Sequence, residues 1–157
     1  MSQNQNAVAG YSIKIPGVKS PHRLEIPGRL PGLNEYTSAC RTNHMTGAAM
    51  KQQSQEIVLW SIYSKMRKVY FEKPVFILFT FYEKDRRRDR DNVASYARKV
   101  IQDALVKAGT LEDDGWDHVT GYLDRFEVDS KNPRIVVEFI EQEATKCNKR
   151  QSKKSEK

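Results

Sequence analysis

Asp89 and Asp91 sit one residue apart in the stretch DRRRDRDN, residues 85–92, and the three arginines Arg86, Arg87 and Arg88 share that stretch. In extended backbone, side chains at i and i+2 point to the same side, so the two carboxylates would converge. Like charges that close are costly unless a cation lies between them. Mg²⁺ suits the position, because it takes hard oxygen ligands and needs few carboxylates beside water and phosphate. Asn92 is placed to cap a following helix, whose free N–H groups would face the same spot and help to hold a phosphate. A plainer reading stands beside this one: acids and bases after a strand pair with one another in a solvated loop. A second acidic group, Glu112, Asp113, Asp114 and Asp117, follows about 20 residues later. A helix of ~16 residues is ~24 Å long, so the two groups meet only if the chain folds back after Gly109.

The elements that would position these groups are legible in outline. Leu24 and Ile26 alternate with polar neighbours, as do Ile13 and Ile15, and both stretches predict short strands. Pro27, Gly28, Pro31 and Gly32 break regular structure, and LPGLNEYTSACRTNHMTG reads as irregular and polar. From Gly47 to Tyr70 the pattern is helical, with Leu59, Ile62, Tyr63 and Met66 at i, i+3, i+4 and i+7. Pro74 to Tyr82 is a β-branched and aromatic run, which predicts a central strand covered on both sides. Val93 to Ala108 predicts a second helix with an apolar stripe of Val93, Ala97, Val100, Ala104 and Ala108, ended by Gly109. His118–Val128 and Pro133–Glu141 predict a closing pair of strands joined by the loop DSKN. The order strand–helix–strand–helix–strand–strand is that of an α+β, or mixed α/β, layer.

Composition bounds the rest. A chain of 157 residues, 38% hydrophobic and 30% charged, predicts one globular domain over 11–144, with a disordered start at 1–10 and a flexible basic tail at 145–157. A net charge of +7 and a pI of about 9.4 favour an acidic partner, nucleic acid first. Cys40 and Cys147 stand alone without a CxxC, which argues against a zinc module or disulfide framework. No apolar run approaches the ~18 residues of a membrane span, and the start lacks the order of a signal peptide, so a cytoplasmic protein is expected.

The run DRRRDRDNVASYARKVIQDALVKAGTLEDDGW, Asp85 to Trp116, resembles the RusA family of Holliday-junction resolvases. The shared pattern is an arginine-rich D-x-D-N at Asp89, Asp91 and Asn92, then a helix lysine, Lys99. Asp103-Ala104-Leu105, Ala108-Gly109 and the acidic pair Asp113-Asp114 follow. The earlier part of the chain shares only a plan: a strand, a Pro-rich turn with Asn34 and Tyr36, a helix and a hydrophobic strand. Relative to the family pattern, about four residues are extra between Asn92 and the lysine. If the helix gains a turn, Lys99 keeps the expected face; read without a gap, Ser95 takes that position. The resemblance implies a RusA-like fold and a homodimer that cuts four-way DNA junctions during recombination and repair. It implies Asp89, Asp91 and Asp114 as Mg²⁺ ligands and catalytic carboxylates, with Lys99 beside them, Mn²⁺ as a substitute ion and 5′-phosphate products. Arg86, Arg87, Arg88 and Asn92 would then hold the DNA phosphates on either side. Asp113 competes with Asp114 as third ligand, and Lys99 has a plain structural use as an i, i+4 partner of Asp103.

His22, His44 and His118 show no HxH or HExxH spacing, and surface or turn positions are expected for them. Trp60 is expected in the core, whereas Trp116 is open to core packing or to stacking on bases. Asn34, Tyr36, Arg41 and Asn43 suit either DNA contact or an ordinary polar loop. Two further functions fit the composition: a non-catalytic basic DNA-binding module, and a nuclease for other branched nucleic acids.

Overall fold

The computed structural model describes residues 22–142. It is an α+β fold of three helices and a four-stranded mixed sheet. The elements are β1 (His22–Pro27), α1 (Leu33–Thr42), α2 (His44–Lys65), β2 (Val75–Glu83), α3 (Arg90–Lys107), β3 (Val119–Val128) and β4 (Arg134–Glu141). The expected strand at Ile13 and Ile15, the disordered start and the basic tail lie outside the described residues. Among the described residues no helix is long and apolar enough to cross a membrane.

The sheet order is β1-β4-β2-β3, with β4 antiparallel to both its neighbours and β3 parallel to β2. The last two strands therefore do not pair with each other. The chain leaves β3 and passes the end of β2, where the Asp129 N–H donates to the Glu83 carbonyl at 2.8 Å. It then enters between β2 and β1. Burial explains the choice: Ile135, Val136, Val137, Phe139 and Ile140 are all buried, which only an interior strand can satisfy.

The core lies between one sheet face and the helices. Val75, Ile77, Phe79 and Phe81 of β2 line that face with Leu24, Ile26, Val137 and Phe139, and none is accessible to solvent. Against them pack Val93, Ala97, Val100, Ile101, Ala104 and Leu105 of α3, and Val58 and Ile62 of α2. Burying each large side chain contributes about 1.5–3 kcal/mol. On the other face of β2, Phe76, Leu78 and Tyr82 are half-buried and only Thr80 is buried, so that face is less completely covered than the one against the helices.

The stretch read as irregular is helical. Gly32 precedes α1, and Asn43, with extended backbone at φ −163° and ψ 130°, ends α1 and starts α2. The Asn43 Oδ1 accepts from the Met45 N–H at 2.9 Å, an N-cap bond. The two helices meet through small residues: a Cβ on Gly47 would come within 2.3 Å of the Cys40 Sγ. An interface of that kind leaves no large-apolar period to read.

Candidate functional site

α3 begins at Arg90, three residues before the apolar stripe, with Asp89 as its N-cap residue and Asp91 in its first turn. The two aspartates thus straddle a helix start: Asp89 keeps extended backbone at φ −60° and ψ 135°, whereas Asp91 is helical, so they are not two positions of one strand. The first helical bond runs from the Val93 N–H to the Asp89 carbonyl at 3.0 Å, and no side chain caps the helix. The leading N–H groups of α3 carry the positive end of the helix dipole.

Asn92 does not cap its own helix. Its Oδ1 accepts from the Asn34 N–H at 2.7 Å, the second residue of α1. The N-cap residue of α1 is Gly32, which has no side chain, and Asn92 supplies the missing oxygen from 58 residues away. A Cβ on Gly32 would lie 2.4 Å from the Asn92 Nδ2, so the glycine makes room for it.

A cleft of about 860 Å³ opens at this end of the sheet, lined among others by Glu83, Arg86, Asp89, Arg90, Asp91 and Phe126. Asp89 and Asp91 are exposed and have no ion-pair partner among the described residues. The three consecutive arginines, Arg86 to Arg88, take different roles. Arg86 is exposed on the cleft. Arg87 is exposed and lies 3.8 Å from Asp85 of its own loop. Arg88 is largely buried: it reaches the Glu83 carboxylate at 3.4 Å and donates to the Leu30 carbonyl at 2.8 Å. Glu83, itself buried, also faces Arg29 at 3.6 Å. Thus one arginine of the three anchors the loop to the fold.

The chain after Gly109 does fold back. Gly109 has φ +76°, a left-handed conformation that glycine adopts without strain. The turn then runs beside α3 until the Asp114 Oδ2 accepts from the Lys99 Nζ at 3.0 Å. Lys99 also faces the Asp103 Oδ1 at 2.8 Å, and Lys51 of α2 faces the Asp103 Oδ2 at 3.0 Å. Both uses of Lys99 read from the sequence are therefore present together. Burial acts to raise the Asp103 pKa, but the two ammonium groups outweigh it and hold the carboxyl below its ordinary value. The same bonds, to Asp103 first and Asp114 second, raise the Lys99 pKa. Asp113 is used locally, accepting from the Gly115 N–H at 3.2 Å. Ser95, the ungapped alternative to Lys99, is half-buried on α3.

The expected carboxylates thus occupy two places. Asp89 and Asp91 line the cleft, and Asp114 lies with Lys99, which is eight residues, or about 12 Å of helix, beyond Asp91. Among the described residues no three His, Cys, Asp or Glu side chains form a metal-binding group. Trp116 is 98% exposed, and Trp60, expected in the core, is 67% exposed.

Sequence reasoning missed Arg90, Arg98 and Asp124. Arg90 lies over the Phe126 ring, 5.7 Å from its centroid. Asp124 on β3 is paired with Arg98 of α3, and its Oδ1 is buried without a hydrogen-bond partner. Burial raises the Asp124 pKa, Arg98 opposes that, and the charge of Asp91 adds to it, so Asp124 feels the cleft carboxylate. Asp124 alternates with Phe126 on one strand face, but no motif in β3 marks it. A scan against protein-family models matches none, and a search of curated proteins finds no relative.

Proposed function

We propose that this protein is a Mg²⁺-dependent, structure-selective endonuclease that resolves four-way DNA junctions as a homodimer. The observation that carries the reading is the start of α3. There two unpaired carboxylates, Asp89 and Asp91, share a cleft with Arg86 and Arg90 at an uncapped helix N-terminus. The residues fit the ion: Mg²⁺ is commonly held by one or two carboxylates, with water and substrate phosphate completing its shell. Asp89 and Asp91 would hold it. When bound, the ion supplies an activated water and neutralises charge on the leaving oxygen.

The chain's own groups do the rest. Arg86 and Arg90 on the cleft, with the free N–H groups of α3, bind phosphates flanking the scissile bond. Arg88 fixes the loop that carries them through Glu83 and the Leu30 carbonyl. Lys99 holds Asp114 against α3 and presents a cation on the same helix. The sequence pattern over residues 85–116, which resembles the RusA resolvases, supports junction DNA as the substrate. A two-fold dimer presents two equivalent clefts to a nearly two-fold junction.

The separation of Asp114 from the cleft favours a second reading, a basic DNA-binding module without catalysis. Incubating labelled mobile four-way junctions with Mg²⁺, Mn²⁺ or EDTA separates the two. Paired nicks with 5′-phosphates that vanish in EDTA are expected. Salt-sensitive binding that leaves the junction intact with either ion supports the module instead. Parallel flap, duplex, single-stranded and RNA substrates test the branch preference.

A further inference from the structure

Two arginines of α3 lie over aromatic rings of β3. Arg90 is 5.7 Å from the centroid of Phe126, and Arg98 is 4.5 Å from that of Tyr122. The spacing agrees on both elements. The helix from Arg90 to Arg98 rises about 12 Å, and the strand from Phe126 to Tyr122 spans about 13 Å. α3 therefore runs beside β3 in the opposite direction, starting at the cleft that Arg90 and Phe126 line. β3 is an edge strand and Tyr122 is 50% exposed, so solvent reaches this line of side chains. Arg98 is held more firmly than Arg90. Its Nη1 is paired with the Asp124 Oδ2, and the Tyr122 ring supports the guanidinium face. A guanidinium has five N–H donors. Those that Arg98 does not give to Asp124 have no hydrogen bond among the described residues and are not buried. Asp124 in turn keeps a buried Oδ1 without a hydrogen-bond partner. An ion pair of this kind is often no more stable than a well-packed apolar pair, so stability gives little reason for a carboxylate here. Orientation gives one: Asp124 and Tyr122 fix a planar fork with its free edge outward, the shape that matches a phosphate.

We propose that Arg98 is a second phosphate anchor for the DNA strand that enters the cleft, with Asp124 as its positioning residue. The strand then leaves the cleft along the line between α3 and β3. A duplex advances about 3.4 Å per nucleotide along each strand, so about 12 Å places the Arg98 phosphate roughly three or four nucleotides from the one held by Arg90. Exposed Lys99, the next residue of α3, adds positive charge beside Arg98. The inference rests on the reading of the cleft as a DNA site and requires binding there, not cleavage.

Fluorescence anisotropy on a labelled four-way junction, in EDTA and across a salt series, tests it with the full chain. Arg98→Ala is expected to weaken binding and to lower the slope of log affinity against log salt by about 0.9. Single methylphosphonate groups, each neutralising one phosphate, locate the contact. Walked along the strand, they are expected to weaken wild-type binding at two positions about three or four nucleotides apart. Arg90→Ala removes the sensitivity at one position and Arg98→Ala at the other. Asp124→Leu makes the chain more positive, yet it is expected to flatten the Arg98 position, because the fork is no longer held. Tighter binding with that position intact would strip Asp124 of its role. Arg98→Gln, which keeps a donor for Asp124, takes the place of Arg98→Ala if the alanine chain melts early, and the same losses are expected. An unchanged slope and an unchanged methylphosphonate pattern in a folded Arg98 variant overturn the inference alone. A wild type that binds no DNA overturns it together with the proposed function. Binding of this pattern without cleavage in Mg²⁺ sinks the nuclease reading and leaves the anchor standing.

Discussion

At the scale of single residues, the chemistry divides between groups held in reserve and groups already engaged. Asp89 and Asp91 have no ion-pair partner among the described residues, so removing either charge leaves the fold undisturbed. Asp89→Asn and Asp91→Asn are each expected to lower Mg²⁺-dependent junction cleavage by about 100-fold or more while gel-shift affinity survives. Wild-type rates in both would remove these residues from the mechanism. Asp103 is the opposite case, gripped by Lys99 and Lys51. Its folded pKa is depressed, so its stabilisation is complete above the ordinary carboxylate range and is lost as pH falls through the depressed value. Lys99 has a raised pKa, so its stabilisation is complete below the ordinary lysine range and is lost as pH rises through the raised value. Asp103→Asn is expected to cost about 1 kcal/mol at neutral pH and to flatten the acid side of the melting-temperature profile. Denaturant melts from acidic to neutral pH would show it, and an unchanged acid limb would count against the two-lysine grip.

At the scale of elements, α1 meets α3 through the Tyr36–Tyr96 ring contact and through one capping amide. Asn92→Ala removes the oxygen that caps α1 and is expected to cost about 1 kcal/mol, with faster hydrogen exchange at Asn34 and the first turn of α1. Exchange unchanged there would mean that the cap contributes nothing. This bond also shows what the sequence carried and what it did not. The strand at Val75–Glu83 is legible as a short, continuous β-branched and aromatic run, and the helix to Lys107 because apolar side chains recur along it at about 3.6. α1 was not legible, because it meets α2 through Ala39, Cys40 and Gly47, where close approach replaces a bulky stripe. Asn92 follows Asp91 in a pattern that looks like a cap of its own helix, and nothing local reveals a partner 58 residues away. The acidic pair of the cleft is visible from spacing, although its backbone is a helix start. Asp124 and Arg98 escape because their meaning lies in a strand–helix contact between distant positions. Strand pairing was the least visible feature, since β4 is adjacent to β3 in sequence but inserts between β1 and β2.

At the scale of the whole molecule, a net charge of +7 must be resolved into charges that meet a polyanion and charges that hold the fold. The cleft arginines make that division testable. Arg86 is exposed on the cleft, and Arg90 lies on the same cleft above Phe126, with its guanidinium free of any carboxylate among the described residues. Removing one cation from a DNA phosphate lowers the slope of log affinity against log salt by about 0.9 on duplex DNA. Arg86→Ala and Arg90→Ala are each expected to weaken junction binding and reduce that slope by about 1, with little change in thermal stability. Arg88 follows the other pattern. Its side chain is 16% exposed and answers the Glu83 carboxylate and the Leu30 carbonyl. Arg88→Ala leaves a buried carboxylate facing Arg29 alone and is expected to cost about 2 kcal/mol of stability, with the salt slope intact. Salt titrations of binding run beside thermal melts would separate the three variants. If Arg88→Ala reduced the slope without lowering the melt, the guanidinium would belong to the DNA surface and the anchor described for it would be wrong.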